Sequence, residues 1–246
     1  MSAAVAVLCA CVGRSAPGCE PLMSDLSATK NRILDAAEAL FAEQGIGRTS
    51  LRQITTTAEV NLAAVNYHFG SKDELLDAVY ARRLKPMNEE RLRRLESLEH
   101  AAGEAAVGVA ELIEAFVAPA LELVHDRSRG GAQFIQLLGR TFTEPQSSRQ
   151  EAVRNLYQPV IKRFRAAFAR ALPDLPDHEL YWRMHFLVGT LAYCMTGSDL
   201  MRLIASCRMC NPLDHDEMTR RLTEFFAAGM TAPARPEPVQ LQRQVG

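Results

Sequence analysis

The residues with the clearest potential for chemistry lie in one short segment, NLAAVNYHF, at residues 61–69. Val65 and Phe69 are four positions apart, so in a helix they share one side and are expected to face inward. The residues left on the outer side are Asn61, Leu62, Ala63, Asn66 and Tyr67. An asparagine amide can pair bidentately with adenine, and leucine and alanine side chains can contact thymine methyl groups. The segment therefore contains residue types suited to reading base edges in DNA.

Capping signals divide the surrounding sequence into two short helices. Ser50 precedes Gln53 by three residues, the spacing of a capping box, so a helix is predicted to begin at Leu51. Asn61 is a good N-cap for the second helix, and Gly70 can adopt the left-handed conformation that ends it. Two short helices joined by a tight turn form the outline of a helix-turn-helix, whose second helix enters the major groove.

The stretch from Lys30 to Leu76 resembles the N-terminal DNA-binding domain of TetR-type transcriptional regulators. The resemblance rests on ILDAAEALFAEQG followed by TSLRQITTTAEVNLAAVNYHFGSKDELL. It implies a regulator of double-stranded operator DNA rather than an enzyme, with no cofactor. It also implies contacts from Tyr67 and His68, which match positions where family members often touch the backbone or the bases. Packing against the first helix is the alternative role for these two rings.

Phosphate contacts are expected from Thr49, Arg52 and Lys72. These residues lie near helix N-termini, where hydroxyl groups, positive charge and free N–H groups favour phosphate. The predicted DNA-binding residues are therefore Thr49, Arg52, Asn61, Leu62, Ala63, Asn66, Tyr67, His68 and Lys72.

The overall charge requires any DNA-binding surface to be local. The 246 residues carry a formal net charge of −1. Between Arg48 and Lys72, three positive residues and one negative residue give +2, which a dimer would double.

The six cysteines are unevenly placed, which is not the pattern of a disulfide framework and favours a reduced, cytoplasmic setting. Cys207 and Cys210 with His215 resemble part of a metal site, but the second ligand pair is missing, so no metal is predicted.

Residues 1–23 differ from the rest of the chain. AAVAVLCACVG is apolar, but no positive charge precedes it and it is too short to span a bilayer. We favour translation from Met23, with the preceding residues a mis-annotated extension or a disordered tail; lipid attachment to a cysteine is the alternative. The predicted domains are a DNA-binding domain at 24–85, an effector-binding and dimerisation domain at 86–230, and a disordered proline-rich tail at 231–246.

Helical periodicity, without any β-rich segment or internal repeat, predicts an all-α fold: an N-terminal three-helix helix-turn-helix domain followed by a larger helical domain. Besides the helix-turn-helix, helices are predicted at about 29–44, from Ser71 to about Leu84, and at 104–126, 149–172, 178–206 and 214–229. A shorter helix is predicted in AQFIQLLGRTF. Pro86 is expected to interrupt the fourth helix, and Pro119 to kink the one that contains it. The charged run NEERLRRLESLEH is predicted to be a solvated helix or a linker.

The larger domain contains enough bulky side chains to enclose an apolar effector pocket. YWRMHFLVGTLAYCMTG is apolar nearly all round, so its helix is expected to be central. The candidate pocket residues are Phe116, Phe134, Leu138, Phe142, Tyr157, Phe164, Trp182, His185, Phe186 and Tyr193. Arg140, Arg183 and His185 lie in otherwise apolar segments, where the partner of the charge is either a ligand carboxylate or an internal acid such as Glu122.

The family resemblance also implies a homodimer, formed when the last two long helices pair with their copies in a four-helix bundle. Here these are the helices at about 178–206 and 214–229. The second contains Met218, Leu222, Phe225 and Phe226 at helical spacing. An intramolecular core is the alternative use of these side chains.

NLAAVNYHFGSK, LYWRMHFLVGTLAYCMTG and FFAAGM together resemble the fatty-acid-responsive, PsrA-type branch of the family. This resemblance implies a repressor released from DNA by a long-chain fatty acid or acyl-CoA. The alternative is an efflux-type repressor that responds to drugs or aromatic compounds. An all-α enzyme acting on a lipid or aromatic substrate is less favoured, because the sequence shows no clustered nucleophile, base and oxyanion arrangement. No membrane association is predicted.

Overall fold

The computed structural model describes residues 20–125, 131, 133–135, 137–138, 147–195 and 214–234. Within these ranges every regular element is a helix, which confirms the all-α prediction. The helices are α1 (Glu20–Gln44), α2 (Leu51–Thr57), α3 (Leu62–Phe69), α4 (Lys72–Ala102), α5 (Val109–His125), α6 (Ser147–Ala171), α7 (Asp177–Met195) and α8 (His215–Thr231). The chain forms two compact units, Met1–Leu76 and Asp77–Gly246, which divide within α4.

In the first unit, α1 supplies the buried surface against which α2 and α3 pack. Ile33, Ala37 and Phe41 are fully buried, as their spacing predicts. Helix α1 begins at Glu20 instead of the predicted Thr29. Pro21 does not prevent this earlier start, because the first turn of a helix has no intrahelical use for the N–H group that proline lacks.

In the second unit, α4 continues through Pro86, so the predicted interruption is wrong. Proline inside a helix costs about 3 kcal/mol, but packing on both sides of Pro86 offsets that cost. The side chains buried along one face of α4 are Tyr80, Leu84, Met87, Arg91 and Leu95. The run that follows Pro86 is accordingly a helix with one buried face and one solvated face.

The remaining helices match the sequence closely, apart from some of their ends. Helix α5 begins at Val109 rather than 104, because Gly103, with φ of +61°, ends α4 and a turn follows. Pro119 lies inside α5, as predicted. Asp214 caps α8 by accepting a hydrogen bond from the Glu217 N–H at 3.1 Å.

Several predictions fall on residues outside the described ranges. They concern residues 1–19, the tail from residue 235, residues 196–206 of the predicted helix 178–206, Arg140, Phe142, Cys207 and Cys210. Within AQFIQLLGRTF, residues 133–135, 137 and 138 are helical. Among the described helices, none has the length and apolar character needed to cross a membrane.

Candidate nucleic-acid interface and effector domain

A complete capping box fixes the beginning of α2. The Ser50 hydroxyl oxygen accepts a hydrogen bond from the Gln53 N–H at 3.2 Å, and the Ser50 N–H donates to Gln53 Oε1 at 2.8 Å. Both halves of the predicted motif are therefore present.

The turn between α2 and α3 is a Schellman motif with Glu59 at its left-handed position. The Val60 N–H donates to the Thr55 carbonyl at 3.0 Å, and the Glu59 N–H donates to the Thr56 carbonyl at 3.3 Å. Glu59 has φ of +53°, a conformation that glycine adopts more readily than glutamate. This turn sets the direction in which α3 leaves α2.

Helix α3 buries one side and exposes the other, as its sequence predicts. Asn61 caps the helix through Oδ1, which accepts from the Ala64 N–H at 2.8 Å. Val65 is fully buried and Phe69 is largely buried. The exposed predicted residues are Asn61, Leu62, Ala63, Asn66 and Tyr67. Five of the nine predicted DNA-binding side chains thus lie on one accessible helical surface.

The two aromatic rings at the end of α3 have different environments. Tyr67 is 75% exposed, which excludes close packing of its ring against α1. His68 is half-buried and lies edge-on to the Tyr67 ring, with the ring centroids 5.1 Å apart. Tyr67 is therefore available to DNA, whereas His68 is partly engaged within the unit.

The predicted phosphate contacts differ in accessibility. Arg52 is exposed on α2. Thr49 is only 1% exposed, and its hydroxyl lies 2.9 Å from the Gly45 carbonyl and 3.2 Å from the Leu40 carbonyl. Its side chain therefore joins the end of α1 to the start of α2 and does not share the exposed surface.

Lys72 is half-buried at the start of α4. Its Nζ donates to the Ile46 carbonyl at 2.6 Å and lies 5.9 Å from the centroid of the Phe41 ring. These contacts hold the lysine against the end of α1, so a phosphate would have to share or replace them.

In the second unit, the predicted pocket residues separate into a buried set and an exposed set. Phe116, Phe134, Leu138 and Phe164 are buried. Phe116 and Phe164 pack edge to face across α5 and α6, with ring centroids 5.1 Å apart. The half-buried Tyr157 lies on α6, two turns before Phe164. These residues belong to the packed interior of the second unit.

The predicted pocket residues on α7 lie on the outside of the unit. Trp182 is 58% exposed and stacks on the similarly exposed Phe186 at 5.8 Å, while His185 and Tyr193 are also exposed. The pocket prediction for these four residues therefore does not fit the folded unit. Helix α7 is apolar nearly all round, but only its Leu180, Met184, Leu187, Leu191 and Met195 face is buried.

For Arg183, the sequence left open whether its partner is a ligand carboxylate or an internal acid such as Glu122. The acid that it contacts is Glu179, whose Oε2 lies 3.5 Å from Arg183 Nη2. Arg183 Nη1 donates to the Met230 and Ala232 carbonyls, each at 2.7 Å, and so caps the end of α8 from α7. Glu122 instead accepts from Arg94 Nη2 at 2.9 Å. Neither residue is therefore the partner of the other.

Among the described residues of this unit, Arg91 is the buried cation, and the sequence analysis did not identify it. It lies within the charged run NEERLRRLESLEH, and such runs are usually solvated. The signal that identifies it is its spacing from Leu84, Met87 and Leu95, which places Arg91 on the buried face of α4. Its side chain is 1% exposed.

A surface cleft of about 370 Å³, with several charged residues in its walls, lies between α4 and α5. Its walls include Arg93, Arg94, Glu111 and Glu114. This lining does not resemble the predicted apolar pocket. Among the described residues, no cluster of histidine, cysteine or acidic side chains is arranged to hold a metal ion.

The described elements of the chain are all helices, and its N-terminal unit presents an exposed recognition-type helix on a helix-turn-helix. This is the architecture of a DNA-binding regulator. The sequence matches the family described as "Bacterial regulatory proteins, tetR family" over residues 33–79. It also matches the one described as "Tetracyclin repressor-like, C-terminal domain" over residues 114–229. The two matches together cover about two thirds of the chain, and the chain belongs to the TetR family.

Curated relatives are similar in the N-terminal region. The HTH-type transcriptional regulator SrpR of Pseudomonas putida is 44% identical over 59 residues, which are 24% of this chain and 28% of SrpR. The HTH-type transcriptional repressor Rv3405c of Mycobacterium tuberculosis is 51% identical over 47 residues, 19% of this chain and 25% of Rv3405c. The chain thus spans less than a third of the length of either relative.

Solved structures share the fold over most of the chain. The SmeT–triclosan complex is 24% identical with a TM-score of 0.55, covering 86% of this chain and 99% of SmeT. FadR from Bacillus subtilis in complex with stearoyl-CoA is 13% identical with a TM-score of 0.57, covering 81% of this chain and 98% of FadR. At these identities the likeness shows the fold alone.

Proposed function

We propose that this protein is a homodimeric repressor that binds operator DNA through α3 and is released by an apolar effector. The observation that carries the proposal is the exposure of Leu62, Asn66 and Tyr67 on a helix held from behind by Val65 and Phe69. Asn66 supplies a bidentate partner for adenine, and Leu62 supplies an apolar contact for a thymine methyl group. Arg52, on the preceding helix, supplies a phosphate contact.

The proposed dimer uses α7 and α8. One helix-turn-helix reads only a few base pairs, so two copies related by a two-fold axis are needed to read a longer operator. Trp182 and Phe186 on α7 and Phe225 on α8 are more than half exposed, which is unusual for large apolar side chains on a free surface. Burial of these rings against a second copy removes them from water and supplies the aromatic centre typical of an interface.

The proposed effector is a long-chain fatty acid or acyl-CoA, and the proposed site is the buried aromatic region of α5 and α6. Phe116, Tyr157 and Phe164 supply an apolar lining there. FadR, which has this fold, was solved with stearoyl-CoA, and this favours a lipid effector. SmeT, solved with triclosan, favours the second candidate, an efflux-type repressor that responds to drugs or aromatic compounds.

The proposed release is a two-state shift. Effector binding in the second unit favours an arrangement of the dimer in which the two α3 helices no longer match successive major grooves. Helix α4 is the element through which the shift passes, since it contains residues of both units. Binding to operator DNA places the protein in the cytoplasm.

The proposal is tested by a gel-shift assay on the DNA upstream of the protein's own gene, with and without oleate or oleoyl-CoA. A specific complex that dissociates with lipid supports the repressor and its effector class together. A specific complex that ignores lipid but dissociates with aromatic compounds supports the second candidate. The absence of a specific complex on a genome-wide pool of DNA fragments contradicts the proposed DNA binding.

A further inference from the structure

Arg91 is a cation enclosed by neutral groups. Its Nε donates to the Phe116 carbonyl at 2.7 Å, and its Nη1 donates to Asn88 Oδ1 at 3.2 Å. Its guanidinium carbon lies 4.1 Å from the centroid of the Phe116 ring and 5.7 Å from that of Tyr157. Among the described residues no carboxylate contacts it; the nearby acids Glu90 and Glu122 bind Arg93 and Arg94 instead.

A buried guanidinium with no counter-ion is unfavourable. Arginine stays protonated in proteins, so it cannot escape the cost of burial by losing its charge. Burial lowers the pKa of Arg91, and the Tyr157 hydroxyl, with which it forms a hydrogen bond, offsets only part of this effect. Neutral acceptors and aromatic faces compensate a buried charge incompletely, whereas an anion compensates it directly.

The structural task of Arg91 does not require its charge. The Phe116 carbonyl that it binds lies three residues before Pro119, in the turn of α5 from which the proline removes an N–H donor. One turn earlier on α4, Asn88 Nδ2 donates at 2.9 Å to the Leu156 carbonyl, three residues before Pro159 in α6. The same task is thus performed at α6 by a neutral amide. The charge of Arg91 is left without a structural role.

We propose that Arg91 binds the carboxylate of the effector, whose apolar body lies against Phe116, Tyr157 and Phe164. The inference rests on the proposed function, because it assigns the chemistry of the ligand that the second unit binds. Arg91 has five N–H groups, and the described residues supply three acceptors, the Phe116 carbonyl, the Asn88 amide and the Tyr157 hydroxyl. The remaining donors can bind a carboxylate, the anion whose planar geometry matches a guanidinium.

This assignment narrows the effector to an apolar acid. A free fatty acid and an aromatic acid share the required chemistry. A neutral or cationic compound lacks it, and so does the thioester end of an acyl-CoA. An apolar acid that binds at Arg91 must therefore bind more tightly than an uncharged molecule of the same shape.

The test measures binding of two matched pairs to the full-length protein by calorimetry: oleate with oleyl alcohol, and 2-naphthoate with 2-naphthalenemethanol. We expect at least one acid to bind about tenfold to a hundredfold more tightly than its alcohol, the range for a hydrogen bond to a charged group. A preference in the first pair identifies a fatty acid, and a preference in the second an aromatic acid. If each acid binds no more tightly than its alcohol, the inference is overturned.

Variants locate the preference at Arg91. Arg91→Gln keeps a neutral donor for the Phe116 carbonyl and removes the charge, so the preference for the acid should disappear. Arg93→Gln is the matched control, because Arg93 is an exposed arginine on the same helix and should leave the preference unchanged. A preference that survives in Arg91→Gln overturns the inference. If Arg91→Gln does not fold, Arg91→Lys replaces it and should reduce the preference several-fold, because lysine lacks the planar fork; an unchanged preference then overturns it.

A gel-shift assay without effector separates this inference from the proposed function. Wild-type protein that binds operator DNA but does not distinguish acid from alcohol contradicts only the assignment of Arg91. Protein that prefers the acids through Arg91 but forms no specific DNA complex contradicts the proposed regulator and leaves the carboxylate site in place.

Discussion

At the scale of single residues, Asn66 distinguishes direct base reading from general attraction to DNA. Its amide is exposed on α3 and makes no contribution to the cap of that helix, which Asn61 provides. We expect Asn66→Ala to weaken binding to the preferred operator by about 1–3 kcal/mol and to relax the preference at one base position. Binding of a randomised operator library, followed by sequencing of the bound fraction, measures both effects.

The control for Asn66 is Arg52→Ala, on the exposed surface of α2. Loss of a phosphate contact should weaken binding to all sequences alike. It should also reduce the slope of the logarithm of the binding constant against the logarithm of the salt concentration by about one. If Asn66→Ala also weakened all sequences equally, Asn66 would have a structural role and not a reading role.

The ion pairs of Glu90 are expected to make the free energy of unfolding depend on pH in the acid range. Hydrogen bonds from Arg93 and then Arg94 lower the pKa of Glu90 from 4.5 to about 2. Because this pKa is lower in the folded protein than in the unfolded chain, the ion pairs of Glu90 stabilise the fold at pH values above 4.5. This stabilisation is lost as the pH falls from 4.5 to about 2. We expect Glu90→Gln to lower the free energy of unfolding at neutral pH by less than about 1 kcal/mol, since the pairs are partly exposed.

Urea unfolding at neutral pH and near pH 3 measures this effect. The difference between wild type and Glu90→Gln should shrink at the lower pH. A difference that stays constant would show that the carboxylate charge is not responsible.

The sequence was sufficient to predict which side of α3 is exposed, but not to predict the burial of every candidate site residue. Val65 and Phe69 fix one side of a short helix, so the exposure of Asn66 and Tyr67 follows from helical period alone. The burial of Thr49 depends on the path of the chain between α1 and α2, which brings its hydroxyl to two carbonyls. The exposure of Trp182 depends on which face of α7 its own unit covers, and an apolar helix does not reveal this.

At the scale of elements, the turn between α2 and α3 can be improved by one substitution. Glu59 occupies a left-handed conformation, which costs an L-residue about 1–2 kcal/mol relative to glycine. Glycine loses more chain entropy on folding, which offsets part of the gain. We therefore expect Glu59→Gly to raise the free energy of unfolding by about 0.5–1 kcal/mol, measured by urea denaturation.

Glu59→Ala separates the backbone effect from the loss of charge. Alanine removes the carboxylate but keeps the Cβ atom, so it should not stabilise the fold as glycine does. Equal stabilisation by alanine and glycine would assign the gain to the removed charge.

Element ends with capping residues were predicted well, and those set by proline were not. Ser50, Asn61 and Asp214 each place an acceptor beside free N–H groups, a local effect that the sequence contains. Pro86 is different, because its local preference is opposed by the burial of α4 residues that precede and follow it on one face of the helix. Whether tertiary packing exceeds the cost of a proline cannot be read from neighbouring residues.

At the scale of the whole molecule, the exposed aromatic side chains of α7 and α8 are the features that one copy of the chain leaves unexplained. Trp182, Phe186 and Phe225 contact adjacent rings, but each remains more than half exposed in one copy of the chain. If a second copy covers them, the same surface also sets the spacing of the two α3 helices. Association and operator binding should then be lost together.

Phe225→Asp tests this coupling. Phe225 is 71% exposed, so its replacement should leave the fold of one copy intact. In a two-fold interface the change occurs twice, and each copy loses an apolar contact and gains a charge that must be desolvated. We expect the dissociation constant of the dimer to rise by at least about a hundredfold, the result of losing about 1.4 kcal/mol or more from each of two contacts.

Sedimentation velocity should show monomer, and gel shifts should show weaker operator binding that recovers at high protein concentration. Leu26→Ser, which removes an exposed apolar side chain from α1, should leave the dimer unchanged. A Phe225→Asp protein that remains dimeric and still binds its operator would place the interface on another surface.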